Sequence, residues 1–213
     1  MYFCGEFFLM LFINNSMLTV YKGRPESTEG RIDIEVAVYD LLDRLGVEYE
    51  RVDHAPAMTM EVCRAIDEAF GRIHLSDNKP LEVPEDGEPH AVVCKNLFLT
   101  NKQHSRLFLL MMPGDKKFLT KNLSAQINSA RLSFADEVLL KEKLGLTPGS
   151  VSVFGLMQDH GGEVELLIDR DLLVCDHVGC HPCINTSSLR LRTSDLFERI
   201  LPALHHEPTL VTL

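Results

Sequence analysis

The segment Ala91-Val92-Val93-Cys94-Lys95-Asn96-Leu97-Phe98-Leu99 is an apolar run broken by one lysine and one amide. Val, Leu and Phe in near-continuous succession predict a strand buried on both faces of a sheet. A lysine inside such a strand must reach water, find an anion or shift its pKa, because an unpaired buried ammonium is costly. Two readings stay open from this stretch alone. Either Lys95 and Asn96 belong to a site, or Lys95 runs its stem along the strand edge and Asn96 satisfies main-chain groups.

Downstream, Asn101 to Ser105 predict a hairpin turn into a second apolar strand from Arg106 to Met112, which Pro113-Gly114-Asp115 ends. Ser124 is placed to cap a short helix. Ser133-Phe134-Ala135-Asp136 resembles a capping box opening a helix that stops at Gly145. Thr147 to Leu156 reads as a glycine-punctuated loop leading into a strand. Asp159-His160-Gly161-Gly162 is a turn, Val164 to Ile168 a strand, and Asp169-Arg170-Asp171 a further turn. Leu189-Arg190-Leu191 alternates as a strand, and Thr193 or Ser194 caps a last helix ending at Pro202.

Upstream, Ile34, Val38, Leu41, Leu42 and Leu45 share one helical face, with Gly46 as the stop. Val47, Tyr49 and Val52 predict a short strand. His54-Ala55-Pro56-Ala57-Met58 then turns into a second helix starting near Thr59, followed by a polar loop over 74–90. Helices and hairpins alternate without a βαβ rhythm, so the predicted class is α+β with a largely antiparallel sheet.

At 213 residues, 45% hydrophobic and 24% charged, the chain has the make-up of one globular domain with a sizeable core. That domain is expected to run over 17–213. The apolar residues 1–16 lack the basic start and small-residue cleavage site of a signal peptide, and are too few to span a bilayer. Met17 followed by a polar link reads as a second start. The first sixteen residues are therefore expected to be an extension, the alternative being an added edge strand or oligomer contact. The six cysteines follow no secreted framework, which points to a reducing cytoplasm.

The net charge of −10 argues against a general nucleic-acid binder, yet the charge is segregated. Residues 26–94 hold six basic and seventeen acidic side chains, whereas 95–143 hold nine basic (among them Lys95, Lys117, Lys121 and Arg131) and four acidic. One positive segment on a repelling body is what a polyanion site requires.

Three local signals compete for chemistry. Cys180-x-x-Cys183, with Cys175, His177 and His181 nearby, offers zinc-type ligands, but a second CxxC is missing and the flanks suggest a turn into a strand. Buried thiols are the plainer reading. The loop Gly149 to Gly155 brings small residues whose main-chain amides can approach a ligand, although it matches no nucleotide-binding fingerprint. The third signal joins His181 and Asn185 to Lys95, with a hydrogen-bonded structural histidine as the alternative. No nucleophile elbow, paired carboxylates or cofactor motif accompanies them.

Taken in order, Lys95-Asn96-Leu97-Phe98-Leu99, Arg131-Leu132-Ser133-Phe134-Ala135, Gly145 to Ser152, Phe154-Gly155-Leu156 and His181-Pro182 with Asn185-Thr186 resemble the free-standing prolyl-tRNA editing proteins of the YbaK/ProX (PrdX-like) superfamily. The resemblance runs from about residue 30 to the C-terminus. It implies a mixed, mainly antiparallel sheet curled into a partial barrel with helices around it. The implied activity is hydrolysis of the ester joining a wrong amino acid to tRNA(Pro), alanine in the PrdX-like branch and cysteine in the YbaK branch. On that resemblance Lys95, Gly149 and His181 are expected to be catalytic. Asn96, Ser150, Val151, Ser152, Val153, Phe154 and Asn185 are expected to contact substrate. No metal or other cofactor is implied. The expected partners are the acceptor end of mischarged tRNA(Pro) and prolyl-tRNA synthetase or an elongation factor, with no membrane, the protein being a monomer or homodimer. Two departures stand out. Val153 occupies a position where the family loop carries proline, which leaves the loop less rigid, and the cysteines at 180 and 183 are not part of the pattern. A non-catalytic aminoacyl-tRNA-binding module remains the alternative reading.

Overall fold

The fold grows from strand β5 (Ala91–Asn101), in which eight of eleven positions are buried. This computed structural model describes residues 11–13, 16–57, 60–70 and 91–213; residues 1–10, Thr59 and the expected loop at 74–90 lie outside the described residues. The hairpin partner of β5 is β6 (Leu107–Pro113), antiparallel with Lys95 opposite Met112 and Asn96 opposite Met111. All of β6 is buried, because Leu109 and Met111 enter one core while Phe108, Leu110 and Met112 enter another.

The remaining strands are β1 (Leu11–Ile13), β2 (Ser16–Leu18), β3 (Val20–Lys22), β4 (Tyr49–Asp53), β7 (Leu132–Phe134), β8 (Val164–Asp169), β9 (His177–Cys180), β10 (Ser187–Arg192) and β11 (Thr209–Val211). The main sheet runs β11-β8-β6-β5-β9-β10-β4-β3, with β7 added to β5, and its outer strands do not pair with each other. Five of its pairings are antiparallel; β5–β9, β6–β8 and β8–β11 are parallel. Mixed α+β architecture is therefore present as the sequence suggests, in an unclosed sheet. Close approach of the parallel pair β5–β9 depends on Gly179: a Cβ there would lie 2.8 Å from Val93 Cγ2.

Helices α1 (Asp33–Leu45), α4 (Glu137–Leu144) and a C-terminal helix over 193–203 cover the larger core. Between α1 and α4 in the chain come α2 (Met60–Ala69), packed on Val52 and Leu18, and the short α3 (Thr120–Gln126). Gly46 and Gly145 end α1 and α4 in the left-handed conformation, as their positions predict. Arg31 joins α1 to β4 through Glu35 and Asp53, and the Tyr39 hydroxyl donates to Glu35 at 2.8 Å. β1 and β2 pair antiparallel, so the described part of the apolar N-terminal segment is strand.

Several local expectations are corrected. Ser124 lies inside α3, its hydroxyl donating to the Thr120 carbonyl, so it is no cap. Ser133 belongs to β7, and α4 is capped by Asp136, which accepts from Leu139 N–H at 2.8 Å. The stretch after Ser152 is a 3-10 helix, Val153–Gln158, because Ser152 and a fully buried Val153-Phe154 pair favour a tight turn into the core over a strand. A second 3-10 helix, Arg170–Val174, replaces the turn expected at 169–171. Thr193 does not cap the last helix: its hydroxyl donates to the Cys175 carbonyl, and Arg192 stands at the cap with no side-chain bond. Ser194 lies one residue inside the same helix, which ends at Ala203.

Asp159 shows how the turn before β8 is held. Its carboxylate accepts from Glu163 and Val164 N–H at 3.0 and 2.8 Å and lies 3.0 Å from His206 Nε2. Burial pushes this carboxyl up, but those three bonds outweigh it and hold it below the ordinary value. Asp159→Ala is expected to lower stability by about 2–3 kcal/mol in urea denaturation, through loss of three bonds to a buried acceptor. A loss under about 0.5 kcal/mol would show that the turn holds without it.

Candidate active site

Around Lys95 the sheet has a gap. One edge of β5 is taken by β6 from Cys94 to Thr100. On the other edge β9 pairs only with 91–93, and β7 only with 99–101. The main chain over 94–98 has no strand beside it on that edge among the described residues. Alternation decides which groups face the gap. Val93 C=O turns toward the hairpin and accepts from Gly114 N–H at 2.8 Å, while Phe98 C=O accepts from Ala135 N–H at 3.0 Å beyond β7. The main-chain groups of Asn96 have the parity of Phe98 and point into the gap.

Lys95 and Asn96, neighbours in sequence, project to opposite faces of the sheet. Lys95 is partly buried, on the face shared with Val93 and Leu97. Its ammonium donates to the Lys116 carbonyl and makes no ion pair among the described residues. Burial pushes its pKa below the ordinary lysine value, partly offset by the charge of Asp115. Asn96 is 9% exposed, and among the described residues neither its Oδ1 nor its Nδ2 has a hydrogen-bond partner. A buried, wholly unpaired amide is unusual enough to mark a place where a ligand can complete the bonding.

The Lys116 carbonyl is itself held. Its side chain lies 2.8 Å from Asp169 and 2.7 Å from Asp171, where β8 passes into the second 3-10 helix. Asp169 is fully buried, and burial outweighs the lysine and raises its pKa. Burial alone would lower Lys116, but its bonds to the two carboxylates raise it.

The glycine-rich loop is built by its own hydroxyls. Ser150 Oγ donates to the Thr147 carbonyl at 2.8 Å and accepts from Thr147 N–H at 3.1 Å, closing a turn that leaves Gly149 exposed at φ 84°. Ser152, fully buried, donates to the His181 carbonyl at 2.6 Å. A Cβ on Gly149 would lie 3.8 Å from Asn185 Nδ2. Gly149, Ser150, Val151, Ser152, His181 and Asn185 are thus one assembly, so His181 and Asn185 stand with the loop, whereas the sequence joined them to Lys95. Val153 and Phe154 are fully buried in the main core, so their side chains line no opening.

Lys95 reaches this assembly through strand pairing rather than direct contact. Val93 pairs with Gly179 in the parallel ladder, and Lys95 and His181 each follow two residues later, at the same end of the two strands. Its hydrogen bond goes to Lys116 and not to the loop.

His54 is a neighbour that sequence reasoning missed. Its Nε2 lies 2.9 Å from Ser188 Oγ and its Nδ1 2.7 Å from the Ala55 carbonyl. Main-chain bonds from His54 to Thr186 and from Ala57 to Asn185 dock the segment beside the loop. Proline two positions after this histidine signalled only a turn. Burial and then the charge of His54 push the His181 imidazole down to about 4, against a hydrogen bond to the Val151 main chain. His181 is therefore neutral at pH 7. Because its folded pKa lies below the ordinary 6.5, the unfolded chain protonates first on acidification. Stability from this group is complete above about pH 6.5 and declines as pH falls toward 4. An NMR titration is expected to show the His181 ring flat from pH 8 to about pH 5; a midpoint near 6.5 would contradict the desolvation of its ring, whose Nδ1 is buried although the residue is half-buried.

Cys180 and Cys183 are buried free thiols within the main core, and burial pushes Cys180 up to about 12. Among the described residues no group of three or more His, Cys, Asp or Glu is arranged to hold a metal ion. No described helix is long and apolar enough to cross a membrane.

Residues 83–198 match the family model for the aminoacyl-tRNA editing domain. The chain is 33% identical over 172 residues to the prolyl-tRNA editing protein ProX of Acetoanaerobium sticklandii, covering 81% of this chain and 93% of that protein. It is 27% identical over 183 residues to prolyl-tRNA synthetase associated domain-containing protein 1 of Danio rerio, covering 85% and 88% of the two chains. A crystal structure described as that of a candidate trans-editing enzyme for prolyl tRNA synthetase shares the fold, with a TM-score of 0.56 at 14% identity over 85% of this chain and 98% of that one. Loop, histidine segment and central-strand lysine all fall within the matched span, and the chain belongs to the aminoacyl-tRNA editing domain family.

Proposed function

We propose that the protein is a trans-editing hydrolase that removes a wrong amino acid, alanine in the first instance, from tRNA(Pro). The observation that carries this reading is the ammonium of Lys95, partly buried beside a gap in the sheet edge and bonded to one main-chain carbonyl instead of a carboxylate. Such a group retains hydrogen-bonding capacity and charge for the terminal nucleotide of a tRNA. Family membership and the name of the 33%-identical relative support the same direction.

An aminoacyl ester is already activated, so hydrolysis asks mainly for positioning and stabilisation of developing charge. In this reading Lys95 anchors the adenosine end. The main-chain groups of Asn96, together with its unpaired amide, complete their bonds to the substrate. Amides from Gly149 onward orient the ester carbonyl and a water. That water attacks the carbonyl with the ribose 2′-hydroxyl assisting, the bond to the ribose 3′-oxygen breaks, and the 3′-oxygen takes the proton as the amino acid leaves. His181, neutral at pH 7, serves as a hydrogen-bonding wall of the site, and Asn185 stands against Gly149. Selectivity comes from size: proline is bulkier than alanine and is shut out sterically, which discriminates more strongly than attraction for a single methylene, worth only about 1–3 kcal/mol.

The test is a deacylation panel with alanyl-, cysteinyl- and seryl-tRNA carrying proline identity, with prolyl-tRNA(Pro) as the cognate control. Loss of alanine with prolyl-tRNA spared is the expected result. Preferential loss of cysteine would reassign the cargo. Binding without release of any amino acid would make the protein a recognition module.

A further inference from the structure

Phe134 is 63% exposed although it sits in a strand, and Leu119 is 60% exposed at the start of α3. The two belong to one surface. Phe134 meets Phe118 edge-on at 6.3 Å between ring centres, and Phe118 packs with Leu97 on the second core. Phe134 also stands across from Leu99 in the β5–β7 pair. Lys95, Leu97 and Leu99 alternate onto the same face of β5, so this patch runs directly up to the candidate lysine. The Lys116 carbonyl that receives Lys95 is two residues before Phe118.

Charge around the patch is unbalanced. Lys116, Lys143 and Arg106 have carboxylate partners. Lys117, Lys121 and Arg131, which flank Phe118, Leu119 and β7, are exposed and make no ion pair among the described residues. Of the acidic groups that flank the patch along the chain, Asp136 is occupied as the cap of α4 and Asp115, two residues before Lys117, acts on Lys95. On a protein of net charge −10, three unpaired cations interleaved with an exposed ring favour a polyanion with flat faces over an acidic protein or a lipid surface.

We propose that Phe134, Phe118 and Leu119 with Lys117, Lys121 and Arg131 form the landing surface for the unpaired 3′ strand of an RNA whose last nucleotide reaches Lys95. The aromatic edge stacks a base, the cations follow the phosphates, and the strand runs along β5 toward the gap. The inference rests on the hydrolase reading for its direction, since that reading places the strand's terminus at Lys95.

Fluorescence anisotropy tests it with two labelled RNA hairpins, one blunt and one with a four-nucleotide 3′ overhang. Wild type is expected to prefer the overhang. Phe134→Ala should weaken that binding roughly tenfold, as loss of one stacked base does. Lys117→Gln/Lys121→Gln/Arg131→Gln should flatten the log–log salt dependence by about 2, from about 0.7 per lost single-strand phosphate contact. All four positions are solvent-exposed, and unchanged melting curves for the variants would exclude unfolding. Equal affinity of wild type for both hairpins, or variants binding as wild type does, overturns the surface. Hydrolysis is read separately, with a 3′-aminoacyl-adenosine ester that lacks the strand. A wild type that prefers the overhang yet hydrolyses no ester keeps the surface and loses the hydrolase reading. A wild type that hydrolyses the ester while the variants bind RNA normally does the reverse.

Discussion

Lys95→Ala is expected to reduce kcat/KM for alanyl-tRNA(Pro) hydrolysis by about 10²–10³-fold, the scale on which removing one preorganised charged donor acts. The fold should survive. Lys95 is partly exposed and among the described residues makes a single hydrogen bond, to the Lys116 carbonyl, so the melting temperature is expected to move by only a few degrees. Lys95→Arg should not rescue, because a planar guanidinium cannot occupy the place of a compact ammonium between β5 and the Lys116 carbonyl. The lowered pKa of Lys95 adds a second reading: activity that depends on its charge should fall at a pH below that at which an ordinary lysine loses its proton. Undiminished turnover by Lys95→Ala would remove the central assignment.

The largest effect on stability is expected at Lys116. Lys116→Met leaves Asp169, fully buried, without its cation 2.8 Å away, and breaking one side of such a buried pair costs about 3–5 kcal/mol. Urea denaturation should show it as a fall in midpoint without a change in slope. The double variant Lys116→Met/Asp169→Leu removes both charges and should recover most of the loss, since uncharged packing of similar volume often equals a buried ion pair. Failure of the double variant to recover would mean that Asp169 matters for more than its pairing. Its main-chain neighbour Asp171, whose N–H donates to the Asp169 carboxylate, is the next place to look.

Much of the fold was legible because apolar pattern and length act locally. The nine-residue apolar run became β5, Gly46 and Gly145 became helix ends, and the hairpin to β6 followed from Asn101, whose side chain accepts from Ser105 and Arg106 N–H. What local pattern does not encode is which strand lies beside which. The parallel pair β6–β8 is closed by an excursion through α3, β7, α4 and a 3-10 turn, and β5–β9 by a longer one that also holds β6, β8 and the second 3-10 helix, so no simple βαβ rhythm advertises them. Cys180-x-x-Cys183 with Cys175, His177 and His181 offered metal-type ligands beside the plainer reading of buried thiols. Cys175, Cys180 and Cys183 are buried free thiols, and His177 to Cys180 is a strand that Gly179 lets nest on Val93. The candidate site divided in the same way. The glycine-rich loop was visible as a stretch of small residues, but its join to His181 and Asn185 is made by the Ser152 hydroxyl and the Gly149 turn and is not encoded locally. The opposite facing of Lys95 and Asn96 is a plain consequence of strand alternation, and what it means depends on the gap beside them, which needs the positions of β7 and β9.

The interrupted border of β5 has a consequence for how this protein behaves in a crowded solution. A long bare strand margin recruits other chains and seeds aggregation. Among the described residues, the interval with no strand beside it is about five residues, roughly 17 Å, bounded at its ends by β9 and β7, with the Phe98 carbonyl already taken by Ala135 N–H. A foreign strand cannot slide into register along it, whereas a nucleobase rim or one amide group fits. The molecule thereby keeps main-chain donors and acceptors on offer to a small visitor while denying them to its own kind.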